Sequence, residues 1–239
     1  MNRKLCAAIL PVLGFAVWAM AQTPADPLIE GFRNTEVASV ADAMETLYGQ
    51  KNYMSHDMRP VAKTKFVGPA VTVLLKREEH NDGPKGSQGM LDAIDGAPAG
   101  SVYVMVLENG LDYAGMGALM ATAMKMRGFV GAVIDGSVRD TPQIGRIQFP
   151  VFSRGTVPST LVNHFRCVGV NVPVVCAGAK VEPGDIITAD EDGVAVVPKA
   201  KAAEVLKKSQ ELDNQEHTML PFIEKYKSIK QAVDKFGRL

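Results

Sequence analysis

The sequence predicts an α/β fold, and three observations in the middle of the chain carry that reading. Ser101-Val-Tyr-Val-Met-Val-Leu107 and Phe129-Val-Gly-Ala-Val-Ile134 are apolar runs of the kind that forms strands buried on both faces. Between them, residues 118–127 have helix-favouring composition, opened by the glycine turn Ala114-Gly-Met-Gly117 and stopped by Gly128. After the second run, Asp135-Gly-Ser-Val-Arg-Asp140 reads as a loop, and Thr141 as N-cap with Pro142 at the first helical position opens another helix. Strand, helix, strand, helix at this spacing gives a sheet whose strand ends carry loops.

The flanking elements follow in order. Residues 22–28 form a polar, proline-bearing lead-in. From 29 to about 47 the spacing is helical, with Val40, Ala43, Met44 and Leu47 on one face and Thr35 or Ser39 as N-cap. Residues 68–75 read as a strand, 76–88 as a polar, turn-rich surface loop, and 90–94 as the start of a short helix closed by Ala97-Pro-Ala-Gly100. Past Pro150 come short strands at 151–153, 172–176, 186–189 and 194–197, with turns at Glu182-Pro-Gly-Asp185 and Asp190-Glu-Asp-Gly193. The acids of the last turn read as solvated, because no twelve-residue calcium loop surrounds them. Residues 199–239 read as a helical tail, with Ala203, Val205, Leu206 and Leu212 at helical spacing.

The first 21 residues have the pattern of a secretion signal. Arg3 and Lys4 precede an apolar run from 5 to 20, which ends in Ala19-Met-Ala21 before Gln22. The run is short for a membrane span, and Pro11 would interrupt it. Cleavage after Ala21 is expected, which leaves an exported domain over 22–239 without stable membrane insertion. Losing Arg3 and Lys4 takes the basic count from 26 to 24, against 26 acids. Such a near-neutral chain has no electrostatic footprint for nucleic acid. The lysines at 225, 227, 230 and 235 alternate with apolar and acidic residues, as on a solvated helix face. Cys167 and Cys176 remain in the exported part; they could pair in an oxidising compartment or stay as buried thiols, and their spacing does not decide.

The chain has no G-x-S-x-G elbow, Walker loop or H-E-x-x-H motif, and its four histidines share no metal-ligand spacing. Two features do point to chemistry. Gly117-Ala-Leu-Met120 is a glycine turn opening a helix, whose free N–H groups attract an anion. Arg139-Asp140 leaves the carboxyl end of a buried strand, where α/β sheets gather ligands. A carboxylate there can hold a hard cation and a guanidinium can steady an oxyanion; the same pair could equally be a salt-bridged helix start.

The stretches 117–128 and Gly131-Ala-Val-Ile-Asp-Gly-Ser-Val-Arg-Asp140 resemble the core motif of the RraA-like family, which holds the regulator of ribonuclease activity A and class II 4-hydroxy-4-methyl-2-oxoglutarate aldolases. Ser39-Val-Ala-Asp-Ala43, Phe66-Val-Gly-Pro-Ala-Val-Thr-Val73, Asn171-Val-Pro-Val174, Val181-Glu-Pro-Gly-Asp-Ile186 and Asp192-Gly-Val194 agree with it, so the likeness covers roughly 30–215. It implies a swivelling β/β/α-type single domain, assembled as a homotrimer with active sites between subunits. By the same likeness Asp140 would bind Mg²⁺ or Mn²⁺, and Arg139 would contact the 2-oxo group. The backbone at Gly117, Ala118, Leu119 and Met120 would cradle the carboxylate of a small 2-oxo acid. The activity implied is aldol cleavage or oxaloacetate decarboxylation through a pyruvate enolate; the alternatives are a non-catalytic regulator or a protein for another oxo or hydroxy acid. One position departs from the pattern: aldolase members carry an acid just after the glycine of the turn, where this chain has Ala118. A second family acid comes from a neighbouring subunit's C-terminal helix, and Glu216 is the candidate here.

Overall fold

The apolar runs assemble into one curved sheet. The computed structural model describes residues 26–61 and 65–237. Its strands are β1 (Arg59–Pro60), β2 (Phe66–Arg77), β3 (Val102–Leu107), β4 (Ala114–Met116), β5 (Gly131–Val138), β6 (Val151–Thr156), β7 (Phe165–Val170), β8 (Val174–Cys176), β9 (Ala179–Val181), β10 (Ile186–Asp190) and β11 (Gly193–Val197). Among the described residues the main sheet runs β1-β6-β5-β3-β2-β10-β11, with β4 added beside β5 and β7 beside β2, while β8 and β9 form a separate hairpin. The result is a mixed α/β domain with a nearly closed, barrel-like sheet.

Strands β2, β3, β5 and β6 are parallel neighbours. Parallel neighbours need crossovers, and these contain α3 (Gln88–Gly96), α4 (Ala118–Met126) and α5 (Thr141–Ile147). The alternation along β3 shows how the layers arise. Tyr103, Met105 and Leu107 enter a core with Ile94 of α3, Met124 of α4 and Ile144 of α5. Val102, Val104 and Val106 enter a second core with Val174, Cys176 and Val181 of the β8–β9 hairpin. Helices therefore cover one face of the sheet and β structure the other.

A third core lies against β10 and β11. Here α1 (Pro27–Arg33), α2 (Val37–Tyr48) and α6 (Ala202–Tyr226) contribute Phe32, Val40, Met44, Val205 and Leu212. The last helix, α7 (Ile229–Phe236), folds back on α6 through the edge-to-face pair Phe222–Phe236.

Several sequence expectations shift. The helix expected over 29–47 is two helices, and neither Thr35 nor Ser39 caps the second. Glu36 occupies the cap position of α2, and Asp190 accepts the Val37 amide at 3.0 Å. Asp190 is therefore a buried helix cap instead of a solvated turn acid. Ser39 turns instead to Asp213, 3.3 Å away on α6. The segment 135–138, expected as loop, continues β5, because it pairs with both β4 and β6. Strand β7 had no counterpart in the sequence reading, and the strand expected at 172 begins at Val174. Cys167 on β7 and Cys176 on β8 are both free thiols, and burial pushes the Cys176 thiol well above its ordinary range. The expected signal segment, 1–21, lies outside the described residues. Among the described residues no helix is long and apolar enough to cross a membrane.

Candidate functional site

Two neighbouring strands build the site. β4 and β5 run parallel, with Ala114 opposite Ser137 and Met116 opposite Val138, so both end at the same edge. The Arg139 amide extends this pairing by donating to the Met116 carbonyl at 2.9 Å. The chain leaves β4 into Gly117 and α4, and leaves β5 into Arg139, Asp140 and α5. Loops at the carboxyl ends of strands thus bring residues 22 positions apart into contact.

Asp140 occupies the N-cap position of α5, one residue before the expected Thr141, and Pro142 falls in the first turn after it. Its backbone is left-handed, with φ 59° and ψ 31°. Outside glycine that region is sparsely used, although aspartate tolerates it better than most residues, and it costs about 1–3 kcal/mol. The conformation turns the carboxylate away from its own helix: Asp140 makes no side-chain cap on α5. Its Oδ2 instead accepts the Ala118 amide, the first of α4, at 3.1 Å. The site carboxylate thus caps the neighbouring helix, where the positive end of the helix favours an anion by about 0.3–1 kcal/mol.

Gly117 permits this approach. A Cβ at that position would stand 2.7 Å from Asp140 Oδ2 and 3.2 Å from Arg139 Cγ. One expectation is modified as a result. Of the turn amides thought to cradle a substrate carboxylate, Ala118 already donates to Asp140, whereas those of Leu119 and Met120 make no hydrogen bond within the protein among the described residues.

Arg139 lies beside this cap. Its Nε is 3.9 Å from Asp140 Oδ2, and its Nη1 donates to the Ser159 carbonyl at 3.3 Å. Ser159 is itself pinned, donating to the Asp112 carbonyl at 2.8 Å and accepting the Ala114 amide at 3.3 Å. The Arg139 and Asp140 side chains are 43% and 48% exposed, so both remain open to a ligand. They line a cleft of about 160 Å³ with Met90, Met116, Gly117, Leu119, Met120, Thr160, Leu161 and Val162. Sequence reading brought Gly117, Leu119, Met120, Arg139 and Asp140 to this point but missed Met90 and the 159–162 segment. Pro158-Ser159-Thr160 marks a turn, and nothing local to it indicates which strand end it will cover.

Glu216 is elsewhere in the single chain. It lines a separate cleft of about 250 Å³ on α6 and α7 with Glu36, Asp213, His217 and Ile223. Asp135, in the same motif as Arg139, is also elsewhere. Its carboxylate binds Arg154 at 3.0 Å and the Ala177 amide at 2.6 Å, tying β5 to β6 and to the β8–β9 hairpin.

Among the described residues no group of three histidine, cysteine or carboxylate side chains gathers to enclose a cation. Asp140 is the one acidic side chain lining this cleft. That donor set fits a magnesium-like ion, which is commonly held by one or two carboxylates with water and substrate oxygens completing its shell. The Ala118 bond leaves acceptor capacity on Asp140, since a carboxylate offers about four lone-pair sites.

A family model described as RraA-like, Aldolase/RraA, matches residues 37–196. A protein of Halalkalibacterium halodurans named "Putative 4-hydroxy-4-methyl-2-oxoglutarate aldolase" is 30% identical over 193 residues, covering 80% of this chain and 85% of that protein. A solved structure from Pseudomonas syringae pv. tomato, 28% identical, superimposes with a TM-score of 0.76 over 86% of this chain and 96% of its own. Streptomyces coelicolor RraAS2, described as an unusual member of the RNase ES inhibitor RraA protein family, has the same fold. Its TM-score is 0.71 at 24% identity, over 82% of this chain and 97% of that one.

Proposed function

Because the chain belongs to the RraA-like family, we propose that it is a divalent-metal-dependent carbon–carbon lyase that cleaves a small 2-oxo acid to release pyruvate. The observation that carries this reading is the Arg139–Asp140 pair, held open to the cleft at the first amide of α4. Asp140 would hold Mg²⁺ or Mn²⁺, which when bound would supply Lewis-acid polarisation of the 2-oxo carbonyl. The Leu119 and Met120 amides would receive the substrate carboxylate at the helix N-terminus. Arg139, fixed by Ser159, would neutralise the charge that gathers on the 2-oxo oxygen as the C3–C4 bond breaks. Aldol cleavage and oxaloacetate decarboxylation make the same demand on Arg139, so one cleft can serve both.

Proton transfer needs a further group, because Ala118 offers none. Glu216 of a second copy is the candidate within a homotrimer. Leu119, 88% exposed, and Met126, 74% exposed, give α4 an apolar outer face that another copy would cover. The reading also includes export with Gln22 as the first residue, on the strength of the charged start, apolar run and Ala19-Met-Ala21 exit. The deciding experiment couples pyruvate release from oxaloacetate to a reporter enzyme. Release abolished by EDTA and restored by Mn²⁺ is expected. Absence of release at any metal concentration would favour the second reading, a non-catalytic oxo-acid-binding protein, to which Ala118 already points.

A further inference from the structure

Resting on that reading of Arg139, we propose that Ser159 is a positioning residue for the lyase reaction, whose hydroxyl fixes the direction of the Arg139 guanidinium without touching substrate. The arginine is held at two points. Its Nε stands 3.9 Å from Asp140 Oδ2, and its Nη1 donates to the Ser159 carbonyl at 3.3 Å. Nη2 makes no hydrogen bond among the described residues, which leaves that donor for a ligand. A guanidinium is planar, so anchoring one nitrogen restricts where the others point.

The Ser159 carbonyl is only as fixed as the loop that carries it. That loop leaves β6 after Thr156 and is tied to β5 at its start, where the Val157 amide donates to the Val138 carbonyl at 3.0 Å. Two residues further on, the Ser159 hydroxyl supplies the second tie. It donates to the Asp112 carbonyl at 2.8 Å and accepts the Ala114 amide at 3.3 Å, using both capacities of a hydroxyl at once. Ala114 begins β4, the strand that delivers Gly117 and α4. The backbone it grips is held from β5 as well. The Ser137 hydroxyl donates to the Leu111 carbonyl at 2.5 Å, and the Ser137 amide donates to the Tyr113 carbonyl at 3.3 Å. Through Ser159, Arg139 is thus referenced to the same two strands that place the rest of the site. Removing the hydroxyl would release the loop and leave the buried Ala114 amide without its acceptor.

A cation that meets charge arising only as the carbon–carbon bond breaks contributes to turnover more than to substrate binding. Ser159→Ala should therefore lower kcat for pyruvate release from oxaloacetate by about 10–100-fold, the scale of a small misplacement of a reacting group. KM and Mn²⁺ affinity should change by less than about twofold. Oxalate, which sets an oxyanion beside a carboxylate as an enolate does, gives a readout that needs no turnover. Its calorimetric affinity for the Mn²⁺-loaded protein should fall by about tenfold. Ser159→Thr keeps the hydroxyl and should restore both values to within about threefold. Ser159→Cys, similar in size with a much weaker donor and acceptor, takes the place of Ser159→Ala if that variant does not fold. The decisive comparison is a cycle with Arg139→Lys, which has no planar fork to aim. In that background Ser159→Ala should weaken oxalate binding by less than about twofold. A serine that only stabilises the fold would lower affinity by the same factor in both backgrounds. Equal factors, or undiminished oxalate affinity in Ser159→Ala, overturn the inference and leave the proposed lyase site standing. If the unaltered protein neither releases pyruvate nor binds oxalate, the proposed function itself fails and this inference with it.

Discussion

At the scale of single residues, Asp140 joins backbone strain, helix capping and the proposed metal site. Asp140→Asn keeps its size and can still accept the Ala118 amide, so the protein should stay folded. It lacks the charge a hard cation requires, and Mn²⁺ binding measured by calorimetry should disappear. Arg139→Lys should keep metal binding but weaken oxalate binding, because a point charge cannot replace the planar fork held by Ser159. Ala118→Asp is the bolder substitution. An acid there should raise oxaloacetate turnover, since a positioned proton donor is commonly worth ~10²–10⁴-fold. A turnover unchanged at normal metal affinity would argue against the lyase reading. Part of this site was legible in the sequence, because Gly117 and Arg139-Asp140 sit at strand ends within a recognisable motif, while Met90 and the 159–162 segment were not. What the sequence could not show is the direction of the Asp140 carboxylate. The residue types at 140–142 suit a local cap, and only the left-handed backbone at Asp140 sends the carboxylate to α4 instead.

At the scale of elements, runs with one strong pattern were read correctly and those with mixed environments were not. β3 and the helix after Gly117 follow simple burial rules. β7 does not: Arg166, Gly169 and the half-buried Cys167 give it neither alternation nor a continuous apolar run. The break between α1 and α2 was hidden because Asn34-Thr-Glu36 contains neither glycine nor proline to mark a stop. Its cap comes from Asp190, 153 positions away. Below the site, β5 is tied to β6 by Arg154, which pairs with Asp57 at 2.7 Å and Asp135 at 3.0 Å. The Arg154 guanidinium holds the Asp57 carboxyl below its ordinary range. A lowered carboxyl pKa stabilises the fold above the ordinary carboxylate range and loses that contribution as pH falls from that range through the lowered value. Arg154→Met should therefore destabilise the protein most near neutrality, by about 1–3 kcal/mol once the partial exposure of the pair is discounted. Urea unfolding at pH 6 and pH 3.5 should show the gap to the unaltered protein narrowing at the lower pH.

At the scale of the whole molecule, Glu216 and the Arg139–Asp140 cleft occupy different surfaces of one chain. A site that uses both must be completed by another copy. Asp140→Asn and Glu216→Gln should each be inactive alone. Mixed in one oligomer, they should recover roughly a quarter of the full activity, because some interfaces then pair two intact halves. A mixture as inactive as its parents would remove Glu216 from the mechanism. The remaining consequence concerns β2, whose first part, Phe66 to Pro69, pairs with β10 and whose last part, Val73 to Arg77, pairs with β7. One strand thus spans two cores, the first shared with α1, α2 and α6 and the second with α3, α4 and α5. In deuterium exchange the amides of 66–68 should open together with β10 and α6. Those of 73–75, locked between β3 and β7, should exchange later. The molecule could then loosen its terminal helices, and the surface carrying Glu216, while the strand ends that position Arg139 and Asp140 stay closed.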